Sequence, residues 1–256
     1  MPDARPRAEI QALRARIAAI TAYGRPANGV LPFGVPAIDA YLPEAGLARG
    51  ALHEVAGDAT TGASAALFVA GIMARSPGQI LWCVTRPDLF APAIAQAGLD
   101  PDRVIYVEAT DEKTLLACFE EGLRHGSLGG VVAEVARLPM IASRRLQLAA
   151  ESTGTPGIAL HRWHRPVEPA NFGQPTAFDQ STAAVTRWRV TPLPSAPLPV
   201  AGVGRARWLV ELIRNRAGEC ANFMVEACDE TGHLALFADL ADGSLAPPAW
   251  GHRATG

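Results

Sequence analysis

The sequence predicts an α/β fold with a mainly parallel sheet, helices on both faces and an antiparallel meander near the C-terminus. Three observations predict it. Short apolar runs of strand length alternate with helical patterns between residues 52 and 161, as in parallel sheets whose strands are joined by crossover helices. A glycine-bounded loop joins the first apolar run to the helical stretch that follows it. After residue 207, strand patterns succeed one another across short turns, which is typical of a meander.

The individual elements have recognisable ends. We predict parallel strands over residues 52–56, 80–84, 104–107, 130–136, 158–161 and 185–190. Helices are predicted over residues 64–75, 89–97, 112–125 and 139–151. Asp111 is placed to cap the third helix, and Gly98 and Gly126 follow the second and third as C-terminal glycines. The meander strands are predicted over residues 208–213, 222–227 and 233–237.

The chain divides into three parts. Residues 1–24 form a predicted N-terminal amphipathic helix, because apolar residues recur at helical spacing there; it either packs on the core or docks a partner. Residues 25–240 form the core, which includes an irregular loop over 165–183 that is rich in proline, glycine and polar residues. Residues 241–256 are expected to be a flexible tail.

Composition excludes several classes of protein. The net charge of −2 argues against a protein that coats nucleic acid by bulk charge. No apolar run is long enough to cross a bilayer, and no signal peptide is evident, so we expect a cytoplasmic protein without membrane contact. The four cysteines form no C-x-x-C pair and are expected to be buried free thiols. His161 and His164 lack an obvious third ligand, so no metal site is predicted.

The glycine-bounded loop, Gly57 to Ser64, resembles a damaged P-loop. A P-loop reads G-x-x-x-x-G-K-[S/T]; its backbone N–H groups surround phosphates, its lysine reaches the β- and γ-phosphates, and its hydroxyl holds Mg²⁺. Here Gly57, Gly62 and Ser64 match, but Ala63 stands where the lysine belongs. The only lysine of the chain is Lys113. The strand before the loop and the helix after it favour a degenerate P-loop over a plain strand-to-helix turn.

The surroundings of this loop resemble the RecA family. Two regions carry the resemblance. Residues 31–39 and 46–50 are similar to the family's segment that leads into the first core strand, and residues 211–218 are similar to its K-N-R-x-G hairpin. The resemblance covers residues 29–164 and 184–240 and implies a RecA-type P-loop NTPase core. It places Glu134 where the family has a metal-binding aspartate, and Arg86 or a neighbour where a glutamate activates water.

These substitutions bear on catalysis. The candidate nucleotide-binding residues of the degenerate P-loop are Gly57, Gly62, Ala63, Ser64 and Glu134. Removing one electrostatic donor from a transferring phosphoryl group typically costs about 10²-fold or more in rate. We therefore expect no catalytic residues and no cofactor, with ATP and Mg²⁺ binding through the backbone N–H groups left open.

Arginine and tryptophan are interleaved on both sides of the irregular loop. This pattern suits single-stranded nucleic acid, because arginine meets phosphates and an aromatic face stacks on a base. The alternative is that the tryptophans are core residues at strand ends, with the arginines solvated beside them. The candidate DNA-binding residues are Arg162, Trp163, Arg165, Arg187, Trp188 and Arg189.

Together, the RecA-like core without its lysine, the N-terminal helix and the strand over 186–190 resemble the ImuA family. The resemblance implies a non-catalytic RecA-like accessory protein in SOS-induced DNA repair and error-prone translesion synthesis. Its implied partners are an ImuB-type Y-family polymerase homologue and an error-prone DnaE-type polymerase, with RecA and single-stranded DNA as further candidates. Two alternatives are a weak ATP-dependent RecA-like DNA-binding ATPase and a SulA-like cell-division inhibitor.

Overall fold

The computed structural model describes residues 29–57, 62–162, 180–195, 202, 204–216 and 218–236. Within these ranges the strands form a two-stranded ribbon and a nine-stranded sheet. The ribbon pairs β1 (Val30–Leu31) with β2 (Leu47–Ala48). The strands of the sheet are β3 (Leu52–Gly57), β4 (Ile80–Val84), β5 (Val104–Glu108), β6 (Gly130–Glu134), β7 (Gly157–His161), β8 (Thr186–Leu193), β9 (Arg207–Asn215), β10 (Ala221–Glu226) and β11 (Ala235–Leu236).

The order of strands in the sheet is β11-β10-β9-β8-β3-β7-β6-β4-β5. The six strands from β8 to β5 in this order are parallel. Strands β9, β10 and β11 add to β8 as an antiparallel meander. The predicted fold class is therefore confirmed, including the meander and its turn at Asp229, whose carbonyl accepts a 2.9 Å hydrogen bond from the Gly232 N–H.

The described residues contain five α-helices and two short 3₁₀ helices, Pro43–Ala45 and Pro101–Arg103. The α-helices are α1 (Pro36–Asp39), α2 (Gly62–Ala74), α3 (Ala91–Gln96), α4 (Glu112–His125) and α5 (Met140–Thr153). The predicted ends of α4 are confirmed: the Asp111 carboxylate accepts a 2.7 Å hydrogen bond from the Thr114 N–H, and Gly126 is left-handed with φ 76°. Periodicity did not predict the ribbon or α1, because two-residue strands and one-turn helices leave no periodic signal. The resemblance to the RecA family did imply a helix within residues 31–39, where α1 lies.

Each face of the sheet carries its own core. On one face α2 packs with large aromatic side chains, among them Phe68, Trp82, Trp188 and Trp208. On the other face α4 and α5 bury Phe119, Leu146 and their neighbours against β3, β6 and β7. Helices cover both faces, as the alternation of strands and helices predicts.

The strand order determines where a site can form. The chain leaves β3 at the centre of the sheet, between β7 and β8. Parallel strands end at a common edge, so the carboxyl ends of β3, β4, β6 and β7 lie together. Of the predicted segments, 1–24 and 241–256 lie outside the described residues, as does the loop over 165–183 except for 180–183. Within the described ranges, no helix has the length and hydrophobicity required to span a bilayer.

Candidate functional site

The predicted phosphate loop connects the centre of the sheet to α2. Gly57 ends β3 and Gly62 begins α2, while residues 58–61 lie outside the described residues. A Cβ atom on Gly57 would lie 2.8 Å from the Cα of Gly62, closer than two carbon atoms can pack. The close approach of strand and helix therefore requires glycine at position 57. Beyond it, Ala63 is exposed and Ser64 is half-buried.

Glu134 lies at the carboxyl end of β6, and both of its oxygens have partners. Its side chain is 4% exposed. Oε1 accepts a 3.0 Å hydrogen bond from the indole N–H of Trp82, and Oε2 accepts a 2.8 Å bond from Arg162. Burial raises the pKa of Glu134; the nearby charge of Arg162 and the Trp82 bond oppose that effect, but the net pKa stays above its ordinary value.

Arg162 follows β7 directly and binds two carboxylates. Its Nη1 lies 2.8 Å from Glu134 and 2.7 Å from Oδ1 of Asp88, and its side chain is 13% exposed. The base of the same side chain packs against the start of α2, because its Cβ and Cγ lie 3.5 Å from where a Cβ on Gly62 would stand. Arg162 was predicted to bind DNA, and the structure instead places it in an ion-pair cluster beside the phosphate loop.

Asp88 is the member of this cluster that the sequence did not identify. The resemblance assigned the corresponding place to Arg86 or a neighbour, and the structure shows Arg86 exposed and Asp88 turned to Arg162. Asp88 is 45% exposed, so it lies at the open rim of the cluster.

The cluster of Arg162, Glu134 and Asp88 does not fit a magnesium–nucleotide complex. Mg²⁺ takes oxygen ligands in near-octahedral geometry, but both oxygens of Glu134 are already bound to Trp82 and Arg162. One guanidinium faces two carboxylates, so the cluster presents a net negative charge to an incoming phosphate. Position 63 supplies a methyl group in place of an ammonium. The positive charge that Glu134 requires comes from Arg162.

Two of the DNA-binding candidates after the loop lie inside the fold. Trp188 is fully buried, with its ring centroid 5.3 Å from that of Phe33, and its N–H donates a 2.8 Å hydrogen bond to Oγ1 of Thr186. It therefore has no open face for a base. Arg187 is buried and donates to Oε1 of Glu54 at 3.1 Å. Strand β8 lies inside the sheet, between β3 and β9. Trp188 packs with Phe33 and Phe68, and Arg187 also donates to the Gln180 carbonyl and to Thr182.

The remaining DNA-binding candidates have mixed outcomes. Arg189 is partly exposed, with Nη1 3.9 Å from Glu211, so its surface position stays compatible with the prediction. Trp163 and Arg165 lie outside the described residues.

The chain resembles a known protein along almost its whole length. Protein ImuA of Caulobacter vibrioides, from two strains, is 39% identical over 236 residues; the match covers 88% of this chain and 95% of that protein. This chain belongs to the ImuA family. No protein-family model matches it.

Among solved structures, a RadB recombinase covers 81% of this ImuA-family chain, with a TM-score of 0.56 and 19% identity. The chain covers 99% of that recombinase. The RecA-like fold is therefore confirmed, while so low an identity carries no information about activity.

This ImuA-family chain also contains a buried polar cluster that sequence reasoning missed. Glu54 in β3 accepts a 3.0 Å hydrogen bond from Nε2 of His161, and it also contacts Arg187 and the hydroxyl of Thr182. Burial raises the pKa of Glu54, but the bonds from His161 and Thr182 and the charge of Arg187 outweigh it, so the net pKa is lowered. The sequence does contain a signal for this cluster, because Glu54, His161 and Arg187 are polar residues inside otherwise apolar strands.

The cysteines are free, as predicted, but not all are buried. Cys83 is buried, Cys118 and Cys228 are half-buried, and Cys220 is exposed. Burial raises the pKa of Cys83 and of Cys228 to about 12, so these two thiols stay protonated at neutral pH. In the part of the chain that the structure describes, no three His, Cys, Asp or Glu side chains are grouped to hold a metal ion.

Proposed function

We propose that this ImuA-family chain is a non-catalytic RecA-like accessory protein in SOS-induced DNA repair and error-prone translesion synthesis. The observation that carries the proposal is the 39% identity to Protein ImuA over 88% of the chain. Similarity at this level covers most of the chain, so it is not confined to a shared phosphate-loop motif.

The Arg162 cluster supports a role without ATP hydrolysis. Phosphoryl transfer in P-loop proteins depends on a lysine and a metal ion that neutralise charge on the transferring group. Ala63 replaces the lysine, and Arg162 binds the carboxylate of Glu134 that a metal ion would need. A protein that keeps the fold without these charges acts by binding partners.

The proposed partners are an ImuB-type Y-family polymerase homologue and an error-prone DnaE-type polymerase, with RecA as a further candidate. Single-stranded DNA is a weaker proposal, because Arg187 and Trp188 are buried in the core. Among the described candidates, Arg189 has the most exposed charged side chain, at 41%, against 13% for Arg162 and 7% for Arg187.

A genetic and a biochemical measurement together test the proposal. In the source organism, deletion of the gene should abolish damage-induced mutagenesis, and the intact chain should restore it. The purified chain should co-elute with a purified ImuB-type homologue from the same genome. Normal mutagenesis in the deletion strain, or filamentation when the chain is overproduced, would favour the division-inhibitor alternative.

The ATPase alternative has its own measurement. We expect no Mg-ATP turnover above background by the purified chain, and no change in Ser64→Ala. Turnover that disappears in Ser64→Ala would show a working P-loop and would refute the non-catalytic assignment. Ala63→Lys serves as a comparison, because a restored lysine should not produce turnover while Arg162 still binds Glu134.

A further inference from the structure

The outer face of α5 exposes large apolar side chains. Ile141 is 76% exposed and Leu148 is 64% exposed. They stand two turns apart and therefore lie on the same side of the helix. The opposite side of α5 is buried against β3, β7 and α4. Exposed large hydrophobic residues that share one helix face mark an interaction surface more often than isolated ones do.

Leu148 separates two shallow grooves. One groove runs toward α4 and is lined by Arg124 and Arg145, together with small side chains of α5. The other runs toward the start of β8 and is lined by Arg144 and Arg216, together with Met140 and Thr182. Leu148 lines both grooves, so it forms a ridge with a groove on each side. We call Ile141, Leu148 and these four arginines the α5 surface.

The charge of the α5 surface is positive although the chain as a whole is negative. Among the described residues that line the two grooves, the charged ones are all arginines. Glu120, which is nearly buried, binds both Arg124, at 2.7 Å, and Arg145. One carboxylate therefore serves two guanidiniums. Glu151, which accepts a 2.8 Å hydrogen bond from the groove residue Gln147, is a second acidic neighbour. Four arginines thus stand beside two carboxylates, so the local charge is positive.

We propose that the α5 surface docks an acidic amphipathic helix of a partner protein. Apolar side chains of that helix would fill the grooves on both sides of Leu148, and its aspartates and glutamates would meet the arginines, as in other helix-in-groove complexes. The proposal rests on the partner-binding role proposed above and identifies the surface that performs it.

Charge and polarity favour this occupant over two others. A second copy of the chain in a twofold dimer would bring the same arginines face to face, because a twofold interface pairs one surface with itself. A nucleic-acid backbone would satisfy the arginines but not Ile141 and Leu148, since phosphate and sugar contacts are polar.

Photo-crosslinking of the full-length chain in damaged cells tests the proposal. Leu148 is replaced by the photoreactive benzoylphenylalanine, and the crosslinked peptides are sequenced. We expect a segment of another protein that carries Asp and Glu and has apolar residues at helical spacing. A crosslink to this chain itself, a crosslink to DNA, or no crosslink overturns the proposal. Phe90, which is similarly exposed and lines neither groove, is the control position.

Binding of the mapped segment as a labelled synthetic peptide is then measured by fluorescence anisotropy. We expect Leu148→Glu and Arg144→Glu each to weaken binding by about tenfold or more, because each removes an anchor or reverses a charge. Raising NaCl from about 0.1 to 1 M should weaken it as well. Phe90→Glu and Lys113→Glu change matched exposed residues outside the grooves and should leave binding unchanged. Equal effects of all four variants would overturn the proposal.

Mutagenesis in cells separates this inference from the proposed function. Both test residues are exposed, so folded variants are expected, and circular dichroism verifies that. If the intact chain restores damage-induced mutagenesis and Leu148→Glu restores it equally, the α5 surface is not the docking site and the proposed function stands. If the intact chain restores nothing while the peptide still binds at α5, the proposed function is wrong and the docking site stands.

Discussion

Replacing Arg162 tests whether an internal cation stabilises the phosphate-loop region. Arg162→Met keeps most of the side-chain volume that packs on Gly62 and removes the charge that binds Glu134. Glu134 is then a nearly buried carboxylate held by the Trp82 hydrogen bond alone. Removing one partner of a buried ion pair costs about 3–5 kcal/mol, whereas the bond to the half-exposed Asp88 adds only about 0–1 kcal/mol.

Proton uptake limits the cost of this substitution. The pKa of Glu134 is already above its ordinary value with Arg162 present, and losing a positive neighbour raises it further. A carboxyl group whose pKa is raised in the folded state destabilises the fold as pH increases through that pKa. We therefore expect Arg162→Met to lower the free energy of unfolding by about 3 kcal/mol at pH 8 and by clearly less at pH 5.

Urea denaturation at both pH values measures the effect. For a chain of this size, about 3 kcal/mol corresponds to a Tm lowered by roughly 6–12 °C. The double variant Arg162→Met/Glu134→Gln should recover most of the loss, because the amide oxygen still accepts from Trp82 and no charge remains buried. An effect below about 0.5 kcal/mol at pH 8, or a double variant no more stable than Arg162→Met, would refute the reasoning.

Three further substitutions have expected outcomes that denaturation can measure. Arg187→Met should lower the free energy of unfolding by up to about 3–5 kcal/mol at neutral pH, because the buried Glu54 carboxylate loses its arginine partner and keeps only His161 and Thr182. Because the pKa of Glu54 is lowered, the intact protein should lose stability as pH falls below 4.5, and stability that does not change with pH in this range would contradict the reasoning. Trp188→Ala should lower the free energy of unfolding by about 3–5 kcal/mol. If the variant is instead fully stable and no longer binds DNA, Trp188 stacks on a base as first predicted. Gly98→Ala should lower the free energy of unfolding by at least about 1–3 kcal/mol, because the φ of Gly98 is 90° and the new Cβ would lie 2.2 Å from the N of Gly232. Unchanged stability would show that the backbone at Gly98 or Gly232 shifts to make room.

The sequence predicted the parallel core well because its signals are local. Apolar runs such as 80–84 are bounded by Pro, Gly or a capping residue, and the observed β4 has those same limits. The predicted helix over 112–125 matches α4 for the same reason, since Asp111 and Gly126 mark its ends. Strand order is not local information, and the position of β3 between β7 and β8 was not predicted from the sequence.

The site was predicted only in part. Glu134 ends β6 and therefore lies at the carboxyl edge of the sheet, whereas the strand was predicted to continue to residue 136. The resemblance gave Glu134 only as the residue where the family has a metal-binding aspartate. Arg162 and Arg187 look alike in the sequence, each beside a tryptophan, yet one binds Glu134 at the phosphate loop and the other binds Glu54 inside the sheet. Which partner an arginine finds depends on which strands are adjacent, and residue spacing does not reveal that.

The arginine at the end of β7 has a consequence for regulation. A protein that binds Mg-ATP is stabilised in proportion to the logarithm of the Mg-ATP concentration, so its folded fraction depends on how much ATP the cell contains. The Arg162 guanidinium, by contrast, is part of the chain, so its positive charge is present once per molecule and is never exchanged or hydrolysed. We expect the Tm of this chain to be the same with and without Mg-ATP. Control of its activity would then reside in how much of it is made and which proteins it meets.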